Sequence, residues 1–438
     1  MGLVIGIGDA KPKFAYDYYY GIEWDAAVSN PNPTRIGKDE LHQSLPLQCL
    51  MRRCILKDDG TVNYYLHAND STKRDNGAAA NLDGSDGQYM VELPDMYVRF
   101  ETDGDKSRCL MSEHPLPGFT LWGKDYVSAV EATVQRSTNK LAAVVNTTTD
   151  YRGGGNTAAW DDTYRSELGR PATSISLTNF RTYARNRGSV NWNCNTYHIH
   201  RKLWWLFAVE YGTFNSQKAF NAELDVNNHR QGGLGAGVTT INSSKWNAFN
   251  SYNPFVPCGH TNPLGNHTGV VDYTMPEEYD STTTVVSVPS YRGVENPFGH
   301  IWKWTDGCKC LIQSEADGGK SLFYVCDDVS GFTSSGITNY ELRGELPRME
   351  GYVKAICLGE HGEIMPSAVG GGSITYFCDY FYTSIPASGV SERGVLFGGD
   401  ANYGAHAGFV CADTYNAASD ANANIGSRLC YSANRAAA

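Results

Sequence analysis

Charge is scarce in this sequence. Only 19% of its 438 residues are Asp, Glu, Lys or Arg, against about 25% in ordinary globular chains. Basic charge is the scarcer sign, 36 Lys and Arg against 47 acidic residues, for a net charge of −11. No basic run is longer than a pair such as Arg52-Arg53, which argues against a nucleic-acid groove, because neutralising phosphates takes several converging cations. No apolar run approaches about 18 residues, so no membrane insertion is expected. The start, Met1-Gly-Leu-Val-Ile-Gly-Ile-Gly8-Asp9, has neither a basic region nor a cleavage site, and Gly6 stands where a myristoylation pattern needs Ser or Thr. The expectation is a soluble chain made in the cytoplasm.

The usual catalytic and cofactor signatures are missing too. Twelve cysteines are spread almost evenly, with only Cys308/Cys310 and Cys49/Cys54 close together, so the two paired hairpins of a zinc site are absent. They read as small buried hydrophobes, with one or two disulfides after cell exit as the alternative. Gly6-Ile7-Gly8 lacks the third glycine and helix of a dinucleotide site, and Gln231-Gly-Gly-Leu-Gly-Ala-Gly237 lacks the Lys-Ser/Thr of a phosphate loop; both read as turns. Ser373 has no downstream glycine to complete a hydrolase elbow. His198 and His200, two apart on a helix, point about 200° apart and cannot share a metal. The acidic pairs Asp327-Asp328 and Glu277-Glu278 leave Ca²⁺ as the one ion to weigh, but no EF-hand loop accompanies them. They read as solvated loop charges, and no cofactor is expected.

What the chain does have is glycine (46) and aromatic residues, 27 Tyr, 16 Phe and 9 Trp. That predicts tight turns and amphipathic contact surface, and apolar content of 41% excludes a disordered chain. Residues 1–112 carry β-type runs at 88–93 and 96–102 with turn signals at 58–60, 84–87 and 103–105, predicting a small β-rich unit. After Pro115-Leu-Pro-Gly118 the texture becomes short strands in long Gly/Asn/Thr segments. Two helices are predicted there. One is capped by Ser176, with Leu177, Phe180 and Ala184 on one face. The other runs from His198 to Gly212, with Ile199, Leu203, Leu206, Phe207 and Glu210 on one face and Trp204 and Trp205 flanking it. The predicted class is α+β, and the tail at 436–438 reads as a cloning scar.

Residues 398–426 have the clearest internal logic. Thirteen of these 29 positions are Ala or Gly, Lys and Arg are absent, and larger polar or aromatic residues alternate with the small ones. Tyr and Asn provide adaptable contact area at low entropic cost, as in antibody-like paratopes.

Four ordered stretches carry a family resemblance. They are Leu203-Trp-Trp-Leu-Phe-Ala-Val-Glu-Tyr211, Asn296-Pro-Phe-Gly-His-Ile-Trp-Lys-Trp-Thr-Asp306, Gly394-Val-Leu-Phe-Gly-Gly399 and Asn424-Ile-Gly-Ser-Arg-Leu429. Together they resemble the C-type-lectin fold in its formylglycine-generating-enzyme-like branch. Within it they are most similar to variable proteins of diversity-generating retroelements, of the kind found as tail-fibre or receptor-binding proteins in Bacteroides phages and prophages. The resemblance implies an N-terminal attachment domain at 1–112 that joins other phage tail proteins. It also implies a lectin-like ligand-binding domain at 113–435 with a variable region at about 394–430. The implied ligand-facing positions are Asp400, Asn402, Tyr403, His406, Cys411, Asp413, Tyr415, Asn416, Asp420, Asn422 and Asn424. The implied partner is a host cell-surface protein or glycan, the implied location is the virion, and members occur as monomers and homotrimers. Two departures stand out: the Ser-Trp that follows the paired glycines in the family is Asp400-Ala401 here, and no pair of copper-binding cysteines is evident. The expectation is a binding protein and not an enzyme. The alternatives are a formylglycine-generating-type oxidase or a structural virion protein. Truncating Tyr403 and Tyr415 is expected to remove binding while leaving thermal stability intact.

Overall fold

The computed structural model describes residues 16–220, 241–276 and 283–432. The glycine segments at 6–8 and 231–237, the acidic pair at 277–278 and the tail at 436–438 lie outside the described residues. The fold is mostly β, 37% strand against 17% helix, so the balance predicted as α+β shifts to sheet. The reason is that most runs between glycine turns are too short for a helical turn to repay its nucleation, whereas a strand of three or four residues can pair.

Three sheets dominate. A five-stranded sheet orders Thr34–Gly37, Tyr20–Asp25, Lys106–Ser112, Met96–Asp103 and Thr120–Trp122. A seven-stranded sheet orders Trp192–Cys194, Leu429–Ser432, Asp125–Ser128, Gln88–Leu93, Arg52–Leu56, Val62–His67 and Asp70–Arg74. The predicted strand at 88–93 and the hairpin turn at 58–60 are in place. The expected boundary at 112 does not fall at a break in the fold, however. Gln88–Leu93 pairs with Asp125–Ser128, which pairs with the C-terminal strand Leu429–Ser432. Arg53, fully buried, ties this sheet further by donating to the carbonyls of Gly293 and Thr261 and to the Ser71 hydroxyl. Residues 16–112 therefore share their sheet and core with the rest of the chain. Their strands carry hydrophobic faces that are covered only by the rest of the chain, and one apolar core runs from Tyr20 and Ile55 to Phe397 and Phe409.

The two predicted helices form at Leu177–Arg185 and Tyr197–Tyr211. Ser176 and Thr196 cap them by accepting backbone N–H groups, and Gly212, at φ +61°, closes the second. The second helix departs from the one-faced expectation: all fifteen of its residues are buried. Its polar side chains are tolerated because each has a partner. Lys202 meets Asp125 at 3.2 Å, Arg201 meets Glu363 at 2.8 Å and Glu210 meets Arg292 at 2.6 Å, while the His200 Nε2 lies 2.6 Å from the Phe409 carbonyl. A buried charge without such a partner would cost several kcal/mol.

The third and largest sheet has nine strands around Trp302–Gln313, the central strand. It pairs antiparallel with Val390–Gly398, Lys303 opposite Phe397, and in parallel with Ile425–Gly426, Trp302 opposite Ile425. The four resemblance motifs thus meet in one place. Arg428, 3% exposed, donates to the carbonyls of Ser128, Glu295 and Asn296. The Ser427 hydroxyl donates to the Trp304 carbonyl at 2.8 Å, and His200 stacks on Phe397 at 4.5 Å. Phe298, Trp302 and Trp304 are buried as expected.

Beneath the Asn296–His300 turn, two backbone N–H groups, from Phe255 and Val256, converge on the His300 Nε2 at 3.1 Å each. Nε2 is therefore the acceptor, and Nδ1 carries the proton toward Glu131 at 2.5 Å. Burial pushes the Glu131 carboxyl up, but Lys303, at 2.9 Å, and His300 outweigh it and hold it at about 2.

Candidate functional site

The eleven sequence-predicted positions separate into two groups once folded. Asp400, Cys411 and Asp413 are buried, which corrects their assignment as ligand-facing. Cys411 and Asp413 lie in the strand Gly408–Asp413, all six of whose residues are buried. Small residues alternating with larger ones therefore do not keep all the larger ones outside.

The two aspartates act as clamps. Asp400 accepts from the Asn424 amide at 2.9 Å and from the Asn402 N–H, while Asp413 accepts from the Tyr415 N–H at 2.7 Å. Burial pushes both carboxyls up to about 7. Burial also raises the Cys411 thiol. A third buried carboxylate, Asp379, accepts from the Val410 N–H at 2.8 Å and is pushed up to about 8 by its burial. Gly408 is required opposite it, since a Cβ there would lie 2.0 Å from the Asp379 Oδ1. Loops clamped to buried carboxylates lose little entropy when they bind.

Above these clamps lies a cluster of rings. A short 3-10 turn at Gly404–His406 projects His406, which stacks on Tyr380 with centroids 4.1 Å apart and planes 7° apart. Tyr352 meets both rings edge-on at 5.1 and 5.2 Å. The Tyr382 hydroxyl shares a hydrogen bond with the His406 Nδ1, and its ring packs on Tyr403 at 5.1 Å. Tyr403 in turn meets Trp302 of the central strand at 5.4 Å. Tyr415, 44% exposed, donates its hydroxyl to Glu350 at 2.7 Å, and this bond pushes its own pKa up to about 12. Met349 and Ile374, each about two-thirds exposed, stand next in sequence to Glu350 and to Ser373, whose side chain hydrogen-bonds Tyr352.

The structure therefore brings Tyr403 and His406 together, with Tyr415 beside Glu350 and within electrostatic reach of Tyr380, and with Asn402 and Asn424 half-buried at the Asp400 clamp. Asn416, Asp420 and Asn422 sit on the following loop, which borders the loop at 333–335 instead. There the Asn416 carbonyl accepts from the Gly394 N–H and the Asn422 carbonyl from the Ser174 N–H, while Asp420 accepts from the Ala417 N–H. Sequence reasoning missed Glu350, Tyr352, Tyr380 and Tyr382. Tyr380-Phe381-Tyr382 did carry a signal, an aromatic strand with its central residue buried and its neighbours half-exposed.

The acidic pair weighed for Ca²⁺ is engaged by protein. Asp327 meets Arg343 at 2.7 Å and Arg201 at 3.6 Å, and Asp328 caps the turn at Val329–Gly331. All twelve thiols are free, ten of them buried, in line with the reading as small hydrophobes. Among the described residues no helix is long and apolar enough to cross a membrane.

No protein-family model matches the chain, and no curated protein matches it. Among solved structures, the Major Tropism Determinant P3c Variant aligns at 13% identity and a TM-score of 0.26 over 70% of this chain. The match spans only half of that structure's own length. The M1 and U1 variants of the Major Tropism Determinant align at 13% identity and a TM-score of 0.27, over 87% of this chain and 71% of theirs.

Proposed function

We propose that this chain is a receptor-binding adhesin of a phage tail, a retroelement variable protein with the C-type-lectin fold of the formylglycine-generating-enzyme-like branch. Its Tyr/His cluster is the surface that meets the host. The observation that carries the reading is the convergence of Tyr352, Tyr380, Tyr382, Tyr403, His406 and Tyr415 into one half-exposed group. These rings come from three separate segments. All three are held on a scaffold made by the motifs that carry the resemblance. Rigid aromatic side chains with polar tips are what interface hot spots are made of. The host ligand, a protein or a glycan, would be met by the ring edges and by Tyr415, with the N-terminal part of the chain toward other tail proteins.

The test is adsorption of the purified chain to host cells by wild type and by a Tyr352→Ala/Tyr415→Ala double variant. Two truncated hot-spot rings weaken binding by at least about tenfold. Unchanged adsorption would overturn the assignment and favour the structural virion protein. Tyr403 is not the residue to truncate for this purpose. It packs on Trp302 and Tyr382, so its removal lowers stability, contrary to the sequence expectation.

A further inference from the structure

A cleft of about 220 Å³ lies beside the ring cluster, between the loop at 333–335 and the loop at 417–419, with the helix start at Leu177-Thr178 and the strand residues Glu392, Arg393 and Gly394 as further walls. It is smaller than the roughly 300–1,000 Å³ of drug-sized pockets, which limits an occupant to one small unit.

Four charged residues line it: Asp306, Lys309, Glu392 and Arg393. Three of them are spoken for. Asp306 is held by the Arg181 guanidinium at 2.6 and 2.9 Å. Lys309 meets Glu392 at 2.8 Å and directs further donors to the Gly336 carbonyl and the Thr333 hydroxyl. Glu392 accepts from the Gly336 N–H as well. Arg393 is different: among the described residues its guanidinium makes no hydrogen bond and no ion pair, and its Nε is shut off from solvent without a partner. Asp413, a carboxyl that acts on it electrostatically, is turned to the Tyr415 N–H. A guanidinium offers five donors in a planar fork that fits a carboxylate, and Arg393 is the charged lining residue whose donors the described residues leave unused.

The lining also carries hydroxyls, on Thr178, Thr333, Ser334, Ser335 and Ser419, beside the apolar Leu177, Ala417 and Ala418. Ser334 already accepts from the Thr178 hydroxyl at 2.7 Å and from Arg181 at 2.9 Å, so its own O–H is left to donate. An unpaired guanidinium among hydroxyls matches a ligand that carries both a carboxylate and hydroxyl groups.

We propose that this cleft is a second binding site, which takes an acidic sugar unit with its carboxylate on Arg393 and its hydroxyls on the serine and threonine walls. The site does not rest on the adhesin reading, since it shares no side chain with the ring cluster. Calorimetry and saturation-transfer NMR on the whole chain test it. Glucuronate and N-acetylneuraminate serve as acidic probes, glucose as the neutral sugar and glutamate as a carboxylate without the sugar. The expected result is saturable binding of an acidic sugar that weakens with added salt. It weakens at least about tenfold in Arg393→Gln, the loss of a charge-assisted hydrogen bond. Ser419→Asp, which adds negative charge at an exposed position with no packing to lose, weakens it likewise, whereas Tyr415→Ala leaves it unchanged. The proposal is overturned if neither acidic sugar binds saturably, if glucose binds as well, if glutamate binds as tightly as the sugars, or if both cleft variants bind like wild type.

Discussion

Replacing Asp400 by Asn tests whether the clamps beneath the rings are held at an electrostatic cost. Burial raises the Asp400 carboxyl from 3.8 to about 7. A folded-state pKa above the unfolded value means that the folded protein binds the proton more tightly. The stability this provides is complete below about pH 4 and is lost as pH rises through about 7. A shift of about three units corresponds to about 4 kcal/mol once both states are ionised. Asn keeps the shape and one acceptor, so it retains the 2.9 Å bond from Asn424 and gives up the longer one from the Asn402 N–H. That loss costs about 1 kcal/mol.

Asp400→Asn should therefore be about 1 kcal/mol less stable than wild type near pH 3, below the unfolded pKa, and about 3 kcal/mol more stable at pH 8.5. Urea unfolding at the two pH values reads the crossing directly. Asp413 and Asp379 add pH dependence of the same sign, but they remain in both proteins and drop out of the difference. Glu131, held at about 2, acts with the opposite sign below about pH 4.5 and likewise drops out of the difference. A variant that is less stable than wild type at both pH values would refute the argument, because it would show that the ionised carboxylate is a favourable acceptor in this site.

Gly408→Ala forces a Cβ to within 2.0 Å of the Asp379 Oδ1 and should destabilise by about 1–3 kcal/mol, seen as a lower Tm with Tyr415 binding contacts otherwise intact. Arg428→Ala leaves three buried carbonyls without their donor and should cost at least about 3 kcal/mol, measured by chemical denaturation. Glu350→Gln removes the carboxylate that holds the Tyr415 hydroxyl at about 12, so ultraviolet titration should show one tyrosine ionising at lower pH than in wild type.

How much of this was legible beforehand depends on the range of the interaction. Local signals translated well: Ser176 and Gly212 mark helix ends through their own backbone geometry, and the turn at 58–60 joins two paired strands. Long-range pairing did not. Nothing within residues 88–93 announces that their neighbour's partner is the strand Leu429–Ser432, more than three hundred residues away, so local patterning alone separates 1–112 from the rest. The helix at Tyr197–Tyr211 shows the same limit. In sequence only one face of this helix, with Glu210 on it, reads as apolar, and it is Asp125, Glu363 and Arg292, brought from three other segments, that make the burial of Lys202, Arg201 and Glu210 tolerable.

The site was legible in composition but not in orientation. The alternation of small and large residues through 398–426 is what singles out this segment, and within it Tyr403 and His406 pack together while Tyr415 bonds Glu350. Composition could not distinguish an Asp that faces a ligand from one that fastens its own loop, because the same carboxylate does either according to which N–H groups lie near it. Asp400 and Asp413 each accept from a backbone N–H two residues further on, at Asn402 and Tyr415. That is the Asx-turn habit of aspartate, and exposed Asp59 and partly exposed Asp70 make the same bond, so the turn alone does not tell a buried carboxylate from an exposed one.

This division of labour constrains variation in the segment. A substitution at Tyr415 or Asn422, both exposed, changes what the surface offers and leaves the fold alone. A substitution at Asp400 or Asp413 releases a loop and unpairs a buried N–H or amide. If the segment is diversified as proposed, sequences related to this one should vary at 402, 406, 415, 416 and 422 while keeping an acceptor at 400 and 413. Sequencing of variants that still fold and bind would show it. Free exchange of Asp400 and Asp413 for apolar residues among such variants would contradict the clamp assignment, because no apolar side chain can accept the N–H groups of Asn402 and Tyr415.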